Sequence, residues 1–334
     1  MIVGFTYDLK SDYVRQPGDP EDASAEFDAP STVEAVEAAL RAAGHDVVRL
    51  GNLDRLLARL DRIAVDIVFN IAEGRGGRNR ESQIPMVLEA RGIPYVGADA
   101  LTLGLSLDKV IAKQLFLANG IPTPRYFQIH DPNELTASPL PFPLIVKPRH
   151  EGSSKSLSEK SLVRSLDELR AQADWLIKTY RQPALVEEFI RGMEFTVAVI
   201  GNDPPEAQPV VQIEINGRTE LGELFYTFTR INAPGLEYRC PAKIPPALEQ
   251  ALRALAVRTY QAIGGRDFSR VDFRVDPDGR PYVLEINPLP SLSTEDVFMT
   301  LANHLGTTYE AMIQRVLQAA LVRYRMEPCP TSSR

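Results

Sequence analysis

The chain has 334 residues, enough for two or three packed units, and its 44% hydrophobic and 24% charged composition is typical of a globular protein. A formal net charge of −7 argues against nucleic-acid binding through a broad basic surface, but it allows a local basic pocket for a small anion. Two cysteines, Cys240 and Cys329, are too few for a disulfide framework or a cysteine-type zinc site. The sequence shows neither a secretory signal nor a membrane-length apolar run, so we expect a cytoplasmic protein.

The first third of the chain predicts alternating strands and helices. The strand-like runs are IVGFTY, HDVVRL, VDIVFNIAE and IPYVG, and the helical runs are STVEAVEAALRAAG and SQIPMVLEARG. We expect Ser31 or Thr32 to cap the first helix and Gly44 to end it. The acidic, turn-rich segment 10–30 predicts an exposed loop. The alternation is typical of a parallel βαβ sheet covered by helices and defines a first unit, residues 1–97.

The remaining chain predicts two further units, residues 98–183 and 184–334. In the first of these, LSLDKVIAKQLFLANG reads as one helix ending at Gly120, followed by the strand PFPLIVKP, the polar loop RHEGSSKS, the helix SLDELRAQADWLIKTY and the strand PALVEEFI. The last unit is rich in strands and contains the long helix PALEQALRALAVRTYQAIG. The closing segment, from Met326, is expected to be frayed.

One segment, FSRVDFRVDPDGRPYVLEINPLP, predicts a β-hairpin whose turn is Asp278 and Gly279. A two-residue turn places Asp272 opposite Glu285, and Arg270 opposite Asn287, on one face of the hairpin. Phe273 would face Leu284 on the other, apolar face.

Opposed carboxylates repel each other on a sheet, and a divalent cation removes that repulsion. Carboxylate and amide oxygens from Asp272, Glu285 and Asn287 are the ligands that Mg²⁺ prefers, and Mg²⁺ usually shares its shell with substrate phosphates. The alternative is a solvated polar face, in which Arg270 and Arg274 balance the two acids.

A second candidate feature is Lys147, which ends a predicted strand immediately before the loop RHEGSSKS. The backbone N–H groups of glycine and serine in such a loop, together with a lysine, suit a triphosphate. The alternative is that Lys147 is simply exposed.

Five separated motifs, taken together, resemble those of ATP-grasp ligases. They are LSLDKVIAKQLF, PLIVKPRHEGSSKS, LVEEFIRGMEFTVAVI, YRCPA and RVDFRVDPDGRPYVLEINPLP. Their order and spacing are most similar to those of the D-alanine–D-alanine ligase group, from about Phe69 to Gly306. The resemblance implies an α/β protein with an α+β C-terminal part, in which an ATP-grasp fold follows the parallel βαβ domain and ATP lies between the second and third units.

The resemblance also implies roles for individual residues. At the nucleotide, these are Lys109 and Lys147 for the phosphates, Glu187, Glu188 and Ile190 for adenine, Glu194 for the ribose, and Ser153 and Ser154 in a closing loop. At the metal, Asp272, Glu285 and Asn287 would hold two Mg²⁺ ions, for which Mn²⁺ could substitute. The implied catalytic residues are Arg270, which would stabilise the acyl centre, Ser153, and Arg230 in a candidate second lid, residues 217–238.

The sequence departs from the family pattern on the substrate side. Glu73 stands where a histidine is usual and Arg78 where an acid is usual, and the family's N-terminal substrate-binding glutamate has no evident counterpart. Ile231 replaces the tyrosine of a lysine–tyrosine pair.

After the metal asparagine, Ser291 replaces a glycine, while Asp296 and Val297 replace the serine–leucine pair that binds the acceptor's carboxylate. An acceptor with a basic or polar group is therefore expected in place of D-alanine. Arg78 or Arg80 could bind a carboxylate of an acidic first substrate, or could form only surface ion pairs.

The function predicted is ATP-dependent, ADP-forming ligation of an amino-acid carboxylate to an amine through an acyl phosphate. The alternatives are acylation of a carrier-protein thiol, a genuine D-alanine–D-alanine ligase, and a nucleotide-binding module without catalysis. The expected partners are small-molecule substrates, not nucleic acid or membrane. A homodimer is a possible assembly, and a carrier protein would be a partner under the thiol alternative.

Overall fold

The structure is a computed structural model and describes residues 1–326, so Cys329 and the predicted frayed tail beyond Met326 lie outside the described residues. The strands are β1 Ile2–Thr6, β2 Asp46–Gly51, β3 Ile67–Asn70, β4 Tyr95–Val96, β5 Tyr126–Ile129, β6 Leu144–Pro148, β7 Leu162–Val163, β8 Ala184–Glu188, β9 Met193–Ile200, β10 Glu206–Ala207, β11 Val211–Ile215, β12 Leu236–Arg239, β13 Phe268–Val275 and β14 Pro281–Asn287. The α-helices are α1 Pro30–Ala42, α2 Leu53–Leu57, α3 Gln83–Ala90, α4 Ala100–Leu107, α5 Lys109–Ala118, α6 Leu166–Tyr180, α7 Pro246–Ile263, α8 Val297–His304 and α9 Tyr309–Arg323. Within this part of the chain, no helix is long and apolar enough to cross a membrane.

The first sheet has the strand order β2-β1-β3-β4, and its neighbours are parallel, which confirms the predicted βαβ arrangement. Helix α1 begins at Pro30 with Ala29 as its N-cap, so the predicted caps Ser31 and Thr32 are wrong. Proline is favoured at the first helical position because the N–H it lacks would have no partner there. The helix ends as predicted before Gly44, which has φ +81°.

The second sheet has the order β5-β8-β6-β7 and is antiparallel. The single helix predicted before it is wrong, because the chain breaks at Asp108 into α4 and α5. The buried Asp108 carboxylate accepts the backbone N–H groups of Val110 and Ile111, so a new helix begins there. Lys109 is therefore the first residue of a helix.

The third sheet has the order β12-β11-β9-β13-β14, with β10 on β9. One face packs against α5 and α7, and the opposite face packs against α8, α9 and the first sheet in a shared core. The predicted boundary at residues 183–184 falls just before β8, which is bonded to β5 and β6 of the second sheet. The division into three units stays a prediction, and β8 groups with the second sheet by its hydrogen bonds.

The hairpin β13–β14 places Asp272 opposite Glu285 and Arg270 opposite Asn287, as predicted. The two-residue turn is wrong: Asp276 pairs with Arg280 around a three-residue loop that ends at Gly279, whose φ is +81°. A bulge beyond Asp272 then shifts the register by one, so that Phe273 faces Val283 rather than Leu284. The longer loop and the bulge offset each other, which preserves the pairing at the site.

The segment 10–30 is only partly the exposed loop that its composition predicts, because residues 14–18 are exposed whereas the second half of the segment contains buried side chains. Asp22 and Phe27 are each 5% exposed. The Asp22 carboxylate accepts the N–H of Ser156 at 2.6 Å and the hydroxyl of Tyr180 at 2.7 Å. The acidic side chains of this segment therefore serve as hydrogen-bond acceptors for a distant loop.

Candidate active site

A buried ion-paired triad lies where the second sheet meets α5. Glu187, on β8, lies 2.8 Å from the Nζ of Lys113 and 2.8 Å from the Nζ of Lys147. Burial lowers the pKa of Lys113 to about 8, against the attraction of Glu187. The predicted residues Lys147 and Glu187 thus come together. Lys113 was missed, although it lies one helical turn after Lys109 in the same motif.

Lys109 connects three elements of the site. Its Nζ donates to the backbone oxygen of Glu151 at 2.6 Å and lies 3.2 Å from the Glu285 carboxylate. Burial raises the pKa of Glu285, but the charges of Lys109 and Lys147 outweigh it and bring the pKa to about 2. Glu285 is therefore ionised at neutral pH, and the start of α5, the polar loop and the hairpin meet at this ion pair.

Asp272 is held by donors on both sides of β13. It accepts the Thr196 hydroxyl at 2.6 Å, the Asn287 amide at 2.9 Å, and two N–H groups of Arg270 at 3.0 Å each. Thr196 was missed because its place beside Asp272 depends on the β9–β13 register, which the sequence does not reveal.

The donor set fits a magnesium ion that is shared with phosphate. Two carboxylates, Asp272 and Glu285, face each other, and the Asn287 amide nitrogen points to Asp272 and leaves its oxygen available. Residues 1–326 contain no group of three or more His, Cys, Asp or Glu side chains that could hold a metal alone. Mg²⁺ commonly completes such a partial protein shell with water and substrate phosphate. The metal assignment stays a prediction.

The residues predicted to bind adenine and ribose, which lie on and between β8 and β9, do not all point to the same side of the sheet. Glu187 and Ile190 are buried, whereas Glu188 makes a two-point ion pair with Arg125 at 2.8 and 3.0 Å on the opposite side of the strand. Glu194 is buried 3.7 Å from Arg274, and burial raises its pKa to about 7.

The polar loop from Glu151 to Ser158, here called the serine loop, has an unusual backbone. Ser153, Ser154 and Ser156 have φ values of 47°, 54° and 70°, in the left-handed region that residues other than glycine rarely adopt. Such conformations persist only where surrounding contacts hold them. Glu26 supplies one of those contacts by accepting the N–H of Gly152 at 2.7 Å.

Glu26 is a site residue that sequence reasoning missed. Its side chain is 5% exposed and is paired with Arg80 and Lys155. No local pattern indicates this, because Glu26 and Gly152 are 126 positions apart. Arg80 is itself only 5% exposed, so the expectation of a surface ion pair is wrong for this arginine.

The candidate second lid contacts the serine loop. Arg230 pairs with Glu159 and donates to the Phe225 backbone oxygen at 2.9 Å, while the Phe228 N–H donates to the Leu157 oxygen at 3.0 Å. These contacts give the two loops a physical connection.

Two lid tyrosines, Tyr226 and Tyr238, lie close enough to each other and to Arg270 to influence each other's pKa. Burial raises the pKa of both phenols, and the charges of Glu194 near Tyr226 and of Asp296 near Tyr238 raise them further.

Four further substrate-side residues were predicted. Asp296 caps α8 and lies 3.9 Å from Arg270, whereas Ser291 is exposed and accepts the N–H of Ser293 in a local turn. Arg78 pairs with the buried Asp108 at 3.0 Å. Glu73 is partly buried near Glu81, and burial and this second acid raise its pKa well above its usual value.

Comparison with known proteins places these features in a family context. Residues 115–318 match the family model described as D-ala D-ala ligase C-terminus. An uncharacterized protein of Sinorhizobium fredii is 38% identical over 87% of this chain and 88% of its own length. The D-alanine–D-alanine ligase of Stutzerimonas stutzeri is 34% identical over 86% of this chain and 88% of its own length.

Among solved structures, the D-alanine–D-alanine ligase of Bacillus anthracis complexed with ATP superposes with a TM-score of 0.75. The match covers 97% of this chain and 99% of that chain at 21% identity, which supports the common fold. The fold and the family match thus agree with the motif resemblance in the sequence.

Proposed function

The chain belongs to the D-alanine–D-alanine ligase family of ATP-grasp enzymes, and on that premise we propose that it joins the carboxylate of an amino acid to an amine other than D-alanine. ATP-dependent, ADP-forming carboxylate–amine ligation is the activity that fits this family. A carboxylate is a poor electrophile, so transfer of the ATP γ-phosphate to it gives an acyl phosphate that an amine can attack.

The observation that carries the proposal is the 3.2 Å approach of Lys109 to Glu285. It brings Lys109, which is predicted to contact the nucleotide phosphates, to Glu285, which is a predicted metal ligand of the hairpin. Lys147 and Lys113 supply two more cations around Glu187, and together they counter the repulsion between an anionic carboxylate and an anionic phosphate. Magnesium held by Asp272, Glu285 and Asn287 would neutralise phosphate charge at the same place.

Attack by the amine builds negative charge on the acyl oxygen, and Arg270 is the cation proposed to stabilise it. Two of its N–H groups already donate to Asp272, which fixes the guanidinium beside the hairpin. The serine loop and the lid would exclude water, which would otherwise hydrolyse the acyl phosphate. Their contact through the Phe228 N–H and the Leu157 oxygen, beside the pair of Arg230 with Glu159, supports joint closure.

The proposal of a different acceptor rests on Asp296. Its carboxylate lies 3.9 Å from Arg270 and therefore occupies the neighbourhood in which an acceptor carboxylate would need a cation. A second anion there would be repelled, while an amine acceptor bearing a basic or polar group would not.

A phosphate-release screen over a matrix of amino-acid pairs, with ATP and Mg²⁺, tests the proposal. We expect turnover that requires both a carboxylate and an amine, with D-alanine a poor acceptor. The Asp296→Ser variant should gain at least tenfold in D-alanine acceptor efficiency, because it removes the competing anion.

Three results of this screen, extended by one assay with a phosphopantetheinyl thiol as acceptor, would oppose the proposal. Efficient formation of the D-alanine dipeptide by the wild-type protein would refute the different acceptor. Turnover that requires a phosphopantetheinyl thiol in place of an amine would favour the carrier-protein alternative. A folded protein that releases no ADP with any pair would favour a module without catalysis.

A further inference from the structure

A cavity of about 320 Å³ adjoins the serine loop and shares Glu26, Arg80 and Glu151 with the site described above. Its walls come from the segment 13–27, the loop at Gly74, the end of α6, and the side chains of Glu151 and Lys155. We propose that it receives the side chain of the carboxylate-donating substrate and that this side chain is itself acidic. The inference rests on the proposed function and specifies its donor.

One residue connects the cavity with the phosphate site. The backbone oxygen of Glu151 accepts from Lys109, while its carboxylate lines the cavity and pairs with Lys155. A substrate whose reacting carboxylate meets the phosphate near Lys109 can therefore extend the rest of its structure along the serine loop. The cavity is about ten times the ~30 Å³ that a water molecule occupies in the liquid, so it is much larger than a methyl side chain needs.

The acidic side chains in the cavity wall already have hydrogen-bond or ion-pair partners within the protein. Glu26 accepts the Gly152 N–H and pairs with Arg80 and Lys155. The Glu151 carboxylate also accepts the side-chain amide of Gln182 at 2.8 Å.

The third acid is Asp19, which accepts the Tyr13 hydroxyl at 2.6 Å and the Gln16 N–H at 2.7 Å. Both bonds end on Oδ2 of Asp19, so its Oδ1 is the one carboxylate oxygen of the three acids without a donor in the described chain, and a ligand that offered only donors would find few open acceptors.

The cations in the same wall retain donors without partners. Arg80 is 5% exposed, and its Nε, which has no hydrogen-bond partner in the described chain, is enclosed by protein and does not face the cavity. Arg181 forms no ion pair within residues 1–326, and Arg75 reaches Asp8 only at 4.0 Å and donates one bond to the Asp12 backbone oxygen at 3.4 Å. Arg75 and Arg181 therefore have guanidinium donors to spare, and a carboxylate supplies two acceptor oxygens that match a guanidinium. The excess of open donors therefore favours a ligand with a second carboxylate.

The test compares acidic donors with their neutral isosteres, in both chiralities: aspartate against asparagine and glutamate against glutamine. Phosphate release is measured with ATP, Mg²⁺ and the best acceptor of the matrix, and the product is identified by mass spectrometry. We expect kcat/KM to be at least tenfold higher for an acidic donor, with the acid incorporated in the product. Arg181→Ala should remove about tenfold of this preference through KM while leaving the kcat for that donor within twofold.

Two further variants keep the test interpretable. Arg75→Ala should reduce the acidic preference in the same direction, because Arg75 is the second weakly paired cation of the wall. Arg91→Ala changes an exposed arginine that pairs with Asp61 outside the cavity and should leave the preference unchanged. A melting temperature for each variant excludes unfolding as the cause.

The proposal is overturned if neutral isosteres react as well as the acids, or if an acid stimulates turnover without entering the product. If no pair releases phosphate, the proposed function fails while the cavity can still be tested by calorimetric titration of aspartate and glutamate. Binding that Arg181→Ala weakens about tenfold would then support the acidic pocket. Absence of binding to the folded protein would refute it.

Discussion

The Glu187→Gln variant tests whether the buried triad organises the nucleotide side of the site. The substitution keeps the side-chain volume but leaves two ammonium groups, each 2.8 Å from Glu187, without their counter-charge. The Lys113 side chain is 1% exposed and that of Lys147 is 11% exposed, so water cannot replace the lost partner. Removing one partner of a buried pair typically costs about 3–5 kcal/mol, and we expect a loss of that size in the free energy of unfolding at pH 7.

The loss should depend on pH in a defined direction. In the wild-type protein the pKa of Lys113 is about 8, below its unfolded value near 10.5, so the unfolded chain binds more protons between these two values and stability rises with pH there. Without Glu187 the pKa of Lys113 falls further. The stability of the variant, unlike that of the wild type, therefore also rises with pH below the wild-type pKa of Lys113. The variant's deficit should therefore be larger at pH 6 than at pH 9.

The matched control is Glu188→Gln, the same substitution at the next residue of β8. Its pair with Arg125 has side chains 30% and 59% exposed, and such pairs contribute about 0–1 kcal/mol. Urea unfolding followed by circular dichroism at pH 6, 7 and 9 measures both variants. Equal losses for Glu187→Gln and Glu188→Gln, or a deficit that grows with pH, would refute the reasoning.

Two further predictions concern the residues beside the triad. Thr196→Val removes the 2.6 Å hydrogen bond to Asp272. We expect the Mg²⁺ concentration for half-maximal activity to rise about 10–100-fold, as measured by magnesium titration of phosphate release. An unchanged Mg²⁺ concentration for half-maximal activity would contradict a role of Thr196 in holding Asp272. Glu194 has a pKa of about 7, so if its anion binds the ribose, the KM for ATP should fall as the pH rises from 6 to 8.5. The Glu194→Gln variant should not show that fall. An equal pH response of the KM in the wild type and the variant would contradict the assignment of Glu194 to the ribose.

The sequence predicted the features that depend on local pattern. Alternating apolar runs predicted the parallel first sheet, and the pairing of Asp272 with Glu285 followed from strand alternation. That pairing was correct although the turn was not, because a three-residue loop and a bulge offset each other. The helix break at Asp108 went unpredicted because the apolar periodicity continues across it, and capping decided the outcome.

Features that depend on distant segments could not be predicted. Glu26 and Asp22 lie in an acidic stretch whose composition is typical of an exposed loop, and only the folded chain brings them to Gly152 and Ser156. Nothing local to either pair specifies this contact, since it depends on how the first unit packs against the second. Lys113 did carry a signal, since it follows Lys109 by one helical turn.

The central claim is that the hairpin and its lysines activate a carboxylate for attack by an amine. The most direct measurement is ADP release coupled to amide formation in the wild-type protein and in Asp272→Ala, with Asp278→Ala, at the exposed hairpin turn, as control. The account predicts one ADP per amide bond in the wild type and the control, and loss of both products in Asp272→Ala at a temperature at which circular dichroism shows that variant to be folded. Turnover retained by Asp272→Ala, or ADP released without an amide product, would contradict it.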